Sequence, residues 1–260
     1  MEAVTLDSPA GDIHVARWRP DTADAGRSPI VLLHDSLGCV ALWRDFPARL
    51  ADASGREVFA YDRLGFGRSD PYPGRLPLSF IDDEARGAFA AVRDHLKRER
   101  FVLFGHSVGG GMAIEAAAQH PESCEGLITV AAQAYMEPRI LAGIREAEQS
   151  FTDPDQLARL ARYHGDKAEW VLRAWVDTWQ TEAFANWNLA PTLARVHCPT
   201  LAIHGEQDEF GSPDQARYIA ERSAGPSGAR ILPCGHVPHR ECPERLIAAV
   251  EGFLADLPKR

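Results

Sequence analysis

The sequence predicts an α/β fold, a mostly parallel sheet with helices on both faces, and three observations carry that expectation. Short apolar runs recur along the chain, helical stretches separate them, and one long segment between two of the runs carries no strand pattern. Strands alternating with helices place the connecting helices on the faces of a parallel sheet.

Taken in order, Ile13-His14-Val15-Ala16-Arg17-Trp18 alternates in side-chain character and reads as an antiparallel edge strand ahead of the parallel core. Ile30-Val31-Leu32-Leu33, behind Pro29, is continuously apolar, as a strand buried on both faces must be. Arg56 to Tyr61 is the next strand, followed by the turn-rich Asp62-Arg63-Leu64-Gly65-Phe66-Gly67. Phe101 to Phe104, Leu127 to Ala131 and Thr200 to Ile203 repeat the pattern. Amphipathic helices are expected over Phe80 to Lys97 and Met112 to Gln119.

The rhythm breaks between Ala134 and Ala190. Four of the six tryptophans, Trp170, Trp175, Trp179 and Trp187, fall there. Trp175 and Trp179 are four apart and share a helix face. The domain organisation expected is a core of residues 1–133 and 191–260 with a helical cap insertion over 134–190. The four rings either form the insertion's own core or line a pocket beneath it; together they favour the pocket.

Bulk properties narrow the function. The chain has 260 residues, is 45% hydrophobic and 25% charged, and carries a formal charge of −9, the composition of an ordinary globular protein. No basic stripe is present, so nucleic acid is not an expected partner. The N-terminal residues show neither a basic region nor an apolar core of a signal peptide, and no apolar run reaches the roughly 20 residues needed to span a bilayer. Five cysteines at 39, 124, 198, 234 and 242 read as free thiols, which places the chain in the cytoplasm. A small-molecule substrate, no membrane association and a monomer or homodimer complete the expectation.

Gly105-His106-Ser107-Val108-Gly109 fits G-x-S-x-G, in which a serine is thrust outward on a tight strand-to-helix turn. The pentapeptide alone is weak, because glycine and serine are common. Here it follows the apolar Phe101 to Phe104 and precedes a helical run near Gly110, the context such a turn requires.

With these residues in view, the chain resembles the α/β-hydrolase superfamily along nearly its whole length, and the resemblance implies that fold's mostly parallel eight-stranded sheet with a small helical cap. His34-Asp35-Ser36-Leu37-Gly38 stands where that superfamily usually has His-Gly-x, and Asp62 to Ser69 is similar to its loop after the fourth strand. His204-Gly205-Glu206-Gln207-Asp208 resembles the loop of the triad acid, and Gly235-His236 with Glu241 and Pro243 resembles the loop of the triad histidine. The resemblance implies Ser107 as nucleophile, His236 as base and Asp208 as acid, in the chain order of this fold. A serine hydroxyl needs a base in hydrogen-bond reach, and the acid fixes the tautomer of that base. His239 is the alternative base and Glu206 the alternative acid, while His106 reads as a packing residue beside the nucleophile. The fold implies oxyanion donors at the backbone N–H groups of Val108 and Ser36. Asp35 departs from the usual glycine, and its side chain is a candidate brace for that loop.

Other patterns are set aside. Cys234, His236, His239 and Cys242 make C-x-H-x2-H-x2-C, a superficial zinc pattern, but Pro238 and Pro243 hinder wrapping and His236 is already used, so no metal is expected. Gly65-Phe66-Gly67 and Val108-Gly109-Gly110-Gly111 lack the spacing of a dinucleotide fingerprint, and no cofactor is expected. Cys39 reads as a buried small residue.

A serine at the turn argues against the dehalogenase and epoxide-hydrolase members, which the superfamily builds on aspartate. The function expected is cleavage of a small to medium carboxylic ester, lactone or thioester through an acyl-enzyme on Ser107. A carbon–carbon hydrolase of ring-cleavage products and a perhydrolase are the other enzyme readings. A hydrolase-fold small-molecule receptor is the reading outside enzymes.

Overall fold

The computed structural model describes residues 1–20 and 26–258. Its strands are β1 (Glu2–Leu6), β2 (Ile13–Trp18), β3 (Ile30–Leu33), β4 (Val58–Tyr61), β5 (Phe101–His106), β6 (Cys124–Val130), β7 (Thr200–Gly205) and β8 (Ser227–Leu232). They form one eight-stranded sheet in the order β1-β2-β4-β3-β5-β6-β7-β8. From β4 through β3 to β8 every pairing is parallel, while β1–β2 and β2–β4 are antiparallel.

Ile13–Trp18 is antiparallel, as its alternation predicts, but it is not the edge. Glu2–Leu6 pairs outside it and takes that place. The edge strand is almost wholly exposed, so it lacks the buried apolar face that would mark it in a sequence.

The two faces are built by alternate residues of the same strands. Ile30, Leu32, Val102 and Phe104 pack with α1 (Phe46–Ser54) and, further along the chain, Leu246 and Val250. Val31, Leu33, Phe101 and Leu103 face the other way, onto α2 (Phe80–Arg86), α3 (Ala88–Leu96) and α4 (Val108–Gln119). The single helix expected over Phe80 to Lys97 is split at Gly87, whose φ of −97° and ψ of −106° leave the helical region. Burial on both faces explains why β3 and β5 are apolar without alternation.

After β6 come α5 (Pro138–Ser150), α6 (Pro154–His164) and α7 (Ala168–Trp179), then α8 (Ala190–Leu193), before the chain returns to the sheet in β7. Leu189 N–H donates to Ala134 O at 2.7 Å and Tyr135 bridges Asn188, joining the two ends of this excursion. The chain closes with α9 (Asp214–Arg222), α10 (Pro238–Glu241) and α11 (Pro243–Ala255), the last carrying Leu246 and Val250. Among the described residues no helix is long and apolar enough to cross a membrane.

Candidate active site

Ser107 sits between β5 and α4 at φ 55° and ψ −126°, a conformation few non-glycine residues adopt. The flanking glycines make the turn possible. A Cβ on Gly105 would run into the backbone of Gly109, and one on Gly109 would run into the carbonyls of Leu33 and His34. Strand, turn and helix therefore cross at backbone contact, and the serine is held by Ser107 N–H donating to Val130 O at 2.9 Å.

His236, in the loop after β8, places Nε2 3.1 Å from Ser107 Oγ and Nδ1 2.8 and 2.9 Å from the two carboxylate oxygens of Asp208. Its backbone is fixed on three sides. The Glu241 carboxylate accepts from Gly235 N–H at 2.5 Å and Val237 N–H at 2.9 Å, and His106 Nε2–H donates to His236 O at 2.8 Å. Asp208, in the loop after β7, also accepts from Phe210 N–H at 2.7 Å and lies 3.0 Å from His204 Nε2.

These contacts set the protonation states. Burial alone would push the Asp208 carboxyl up, but hydrogen bonds from His204 and His236 hold it well below the usual carboxylate range. Burial alone would push His236 down; the Asp208 hydrogen bond and charge, with smaller contributions from Asp35 and Glu209, raise it instead. His106 is pushed down to about 4, chiefly by burial, and His239 is lowered for the same first reason. Both stay neutral beside His236 at pH 7.

The alternatives weighed in the sequence fall elsewhere. His239, on α10, packs on Trp43 and His106 with ring centroids 4.7 and 4.8 Å away, behind the pocket rather than beside the serine. Glu206 is exposed. Val108 opens α4 directly after Ser107, so its N–H has no acceptor within the helix. Ser36 lines the same pocket. Among the described residues the Asp35 carboxylate makes no hydrogen bond to its loop, although it packs against Gly38; the hydrogen bonds that hold the loop run through the Asp35 carbonyl, which accepts from Arg63 Nη2 at 2.9 Å and Gly38 N–H at 3.2 Å. The carboxylate instead lines the pocket, 4.0 Å from His106 Nδ1.

The pocket over Ser107 has a volume of about 160 Å³. Its apolar wall includes Leu37, Ile140, Ile144, Trp175, Trp179 and Phe210; its polar groups, besides Ser107 and His236, are Asp35, Ser36, Gln133 and Glu209. No lysine or arginine is among its lining residues. Of the four tryptophans, Trp175 and Trp179 reach it. Trp170 does not: it stacks on Tyr72 with centroids 5.5 Å apart, covers Gly65 and donates its ring N–H to Gly74 O at 2.7 Å, clamping the loop after β4. Trp187 stacks on Phe184 at 5.2 Å, behind Trp179. Both are packing residues because helical periodicity spreads rings around α7 and its successor turn, and only one face looks inward.

Sequence reasoning missed Gln133, whose Oε1 accepts from Ser107 Oγ at 3.3 Å from a buried position after β6. It also missed His204 and Phe210. A polar residue just past a buried strand end was the available signal for Gln133, and Ile140 and Ile144, four apart on α5, were legible as a helix face.

Residues 28–241 match the family model of the alpha/beta hydrolase fold, so the chain belongs to the alpha/beta-hydrolase family. Serine hydrolase BPHL of Mus musculus is 28% identical over 237 residues, which is 88% of this chain and 80% of that protein. The 2-hydroxymuconate semialdehyde hydrolase of Pseudomonas sp. (strain CF600) is 27% identical over 269 residues, covering 94% and 93% of the two chains. The enol-lactonase of Burkholderia xenovorans LB400 superposes with a TM-score of 0.74 over 97% of this chain and all of its own, at 20% identity, a likeness of fold.

Proposed function

We propose that this chain is a serine hydrolase that cleaves small to medium carboxylic esters, lactones or thioesters through an acyl-enzyme on Ser107. The observation that carries the proposal is the continuous hydrogen-bonded line from Ser107 Oγ through His236 to Asp208, at 3.1 and 2.8 Å, opening onto a mostly apolar pocket. His236 Nε2 takes the Oγ proton as Oγ attacks the substrate carbonyl, and Asp208 stabilises the imidazolium. The Val108 and Ser36 N–H groups receive the developing oxyanion. The imidazolium then protonates the leaving group, and a water activated by His236 releases the acid.

Pocket size and charge narrow the substrate. About 160 Å³ is below the roughly 300–1,000 Å³ of drug-sized sites and close to the size of a cavity that takes one benzene ring. The cap segment 134–190 supplies Ile140, Ile144, Trp175 and Trp179 as the lid over the acyl group. Ring-cleavage products carry carboxylates. Asp35 and Glu209, without a facing cation in the lining, favour the ester reading over carbon–carbon hydrolysis.

Labelling with a fluorophosphonate probe tests the nucleophile: the wild type labels and Ser107→Ala does not. Turnover of short-chain nitrophenyl esters tests the reaction, with a loss of at least about 10³-fold in kcat expected for Ser107→Ala. A wild type that binds esters but turns them over no faster than Ser107→Ala would make the protein a receptor instead.

A further inference from the structure

The pattern C-x-H-x2-H-x2-C is not used by the site as a unit. His236 faces Asp208 and Ser107, and His239 packs on Trp43. The two cysteines at its ends meet each other: Cys242 Sγ lies 2.9 Å from Cys234 Sγ. Cys234 follows β8, and Cys242 sits between α10 and α11, so the pair closes the loop that carries His236.

Exposure separates this pair from the other thiols. Of the five cysteines, Cys39, Cys124, Cys198 and Cys234 are buried and Cys242 alone is partly open to solvent. A second pair, Cys124 and Cys198, is 3.7 Å apart with both members buried. An external oxidant thus meets one thiol first, and that thiol already has a partner behind it.

We propose that Cys234 and Cys242 are a site of oxidative modification, at which a low-molecular-weight disulfide such as oxidised glutathione converts the two thiols to an intramolecular disulfide that staples the His236 loop. Cys242, as thiolate, attacks one sulfur of the oxidant, forming a mixed disulfide and expelling one glutathione thiolate, which takes up the proton that Cys242 lost. Cys234 gives up its proton and attacks the Cys242 sulfur, expelling the second glutathione as a thiolate that takes up that proton and leaving the protein disulfide. Two protein thiols are oxidised by two electrons and one disulfide is reduced to two thiols. Burial pushes the Cys234 thiol up, so its thiolate is scarce and the second step depends on the Cys242 sulfur being held in contact with it.

The staple is not an off-switch. The sulfurs need to approach by only about 1 Å to reach bonding distance, and they are in contact while His236 is already hydrogen-bonded to Ser107 and Asp208. Closing the loop restricts the unfolded chain and leaves the folded loop where it is.

The inference stands apart from the ester reading, and its test does too. The full chain is incubated with oxidised glutathione, digested without reduction and mapped by mass, and its thermal midpoint is measured. The expected result is a Cys234–Cys242 crosslink, free thiols at the other three cysteines, and a midpoint raised by about 5 °C that returns on reduction. Cys234→Ser accumulates the mixed disulfide on Cys242, and Cys242→Ser leaves every thiol unreacted. Fluorophosphonate labelling of Ser107 is equal before and after oxidation. A wild type that stops at the mixed disulfide, leaves Cys242 unreacted or crosslinks Cys124 to Cys198 first overturns the proposal. So does a crosslinked form that loses labelling which the reduced form shows.

Discussion

His204 Nε2 lies 3.0 Å from Asp208 Oδ2 and 3.2 Å from Gly211 O, two acceptors, so this nitrogen carries the proton and the candidate acid receives two imidazole donors. His204 is fully buried and its Nδ1 has no partner among the described residues. The ring therefore serves Asp208 with one nitrogen only. Removing that donor makes the carboxylate more basic, so it holds the His236 imidazolium more strongly. For His204→Phe we expect kcat to fall on the order of 10-fold, because the carboxylate that orients His236 loses a donor that fixes its own position, a loss of the size that outer partners of metal ligands show, with KM little changed. The pH–rate midpoint should move upward. A fall in kcat with an unmoved midpoint would assign His204 to packing alone.

The pH dependence has a defined sign. The base must be free at Nε2, and the His236 pKa is raised above its ordinary 6.5 by Asp208, Asp35 and Glu209 against the opposing effect of burial. Thus kcat/KM rises with pH through a midpoint above 6.5. Asp35→Asn removes one of the raising charges and should lower that midpoint, more in low salt than at 0.15 M, because screening weakens the field. A profile of kcat/KM for both forms at two salt concentrations checks both parts.

Stability has its own pH window at Asp208. Its folded pKa is depressed below the ordinary 3.8, so its contribution is complete above that value and is lost as the pH falls toward the folded pKa. Asp208→Asn should therefore destabilise the protein at neutral pH and flatten the acid limb of its unfolding curve, as measured by denaturant titration at pH 7 and pH 3.

Gly109→Ala tests the crossing of β3, the serine turn and α4. The added Cβ meets the backbone carbonyls of Leu33 and His34, which cannot rotate away as a side chain could. We expect a loss of at least about 3 kcal/mol, the upper range of overpacking, read as a lowered denaturant midpoint.

The tryptophans divide by readout. Trp175→Ala opens the pocket wall and should raise KM for short acyl esters while improving longer ones. Trp170→Ala frees the loop that its ring holds at Gly65 and Gly74. It should lower the thermal midpoint without reordering the acyl-chain preference, in a panel of esters of increasing length.

Much of this was legible because two constraints are local. Ser107 is announced by glycines that only a backbone crossing requires, and β3 and β5 by apolar runs that only burial on both faces requires. Asp208 and His236 needed the resemblance, since nothing in their own neighbours says that residues 28 apart meet. Glu2–Leu6 was not legible as a strand, because an exposed edge has no buried face to impose a pattern. Trp170 and Trp187 could not be separated from Trp175 and Trp179, because residue type records that a ring is buried and not against what. Gln133 showed only as a polar residue past a strand end, for a related reason: its partner, Ser107, lies on a different strand end and is brought there only by the parallel pairing of β5 with β6.

The bond from Leu189 to Ala134 and the bridge from Tyr135 to Asn188 put the entry and exit of the helical excursion side by side. The sheet consequently meets it as a short turn, whatever its length, and its closure entropy grows only slowly as residues are added. That makes the segment an exchangeable cassette. Cutting at this stalk and ligating in the corresponding piece of another family member would replace the part of the pocket wall that Ile140, Ile144, Trp175 and Trp179 form while leaving the serine, histidine and aspartate on their own scaffold.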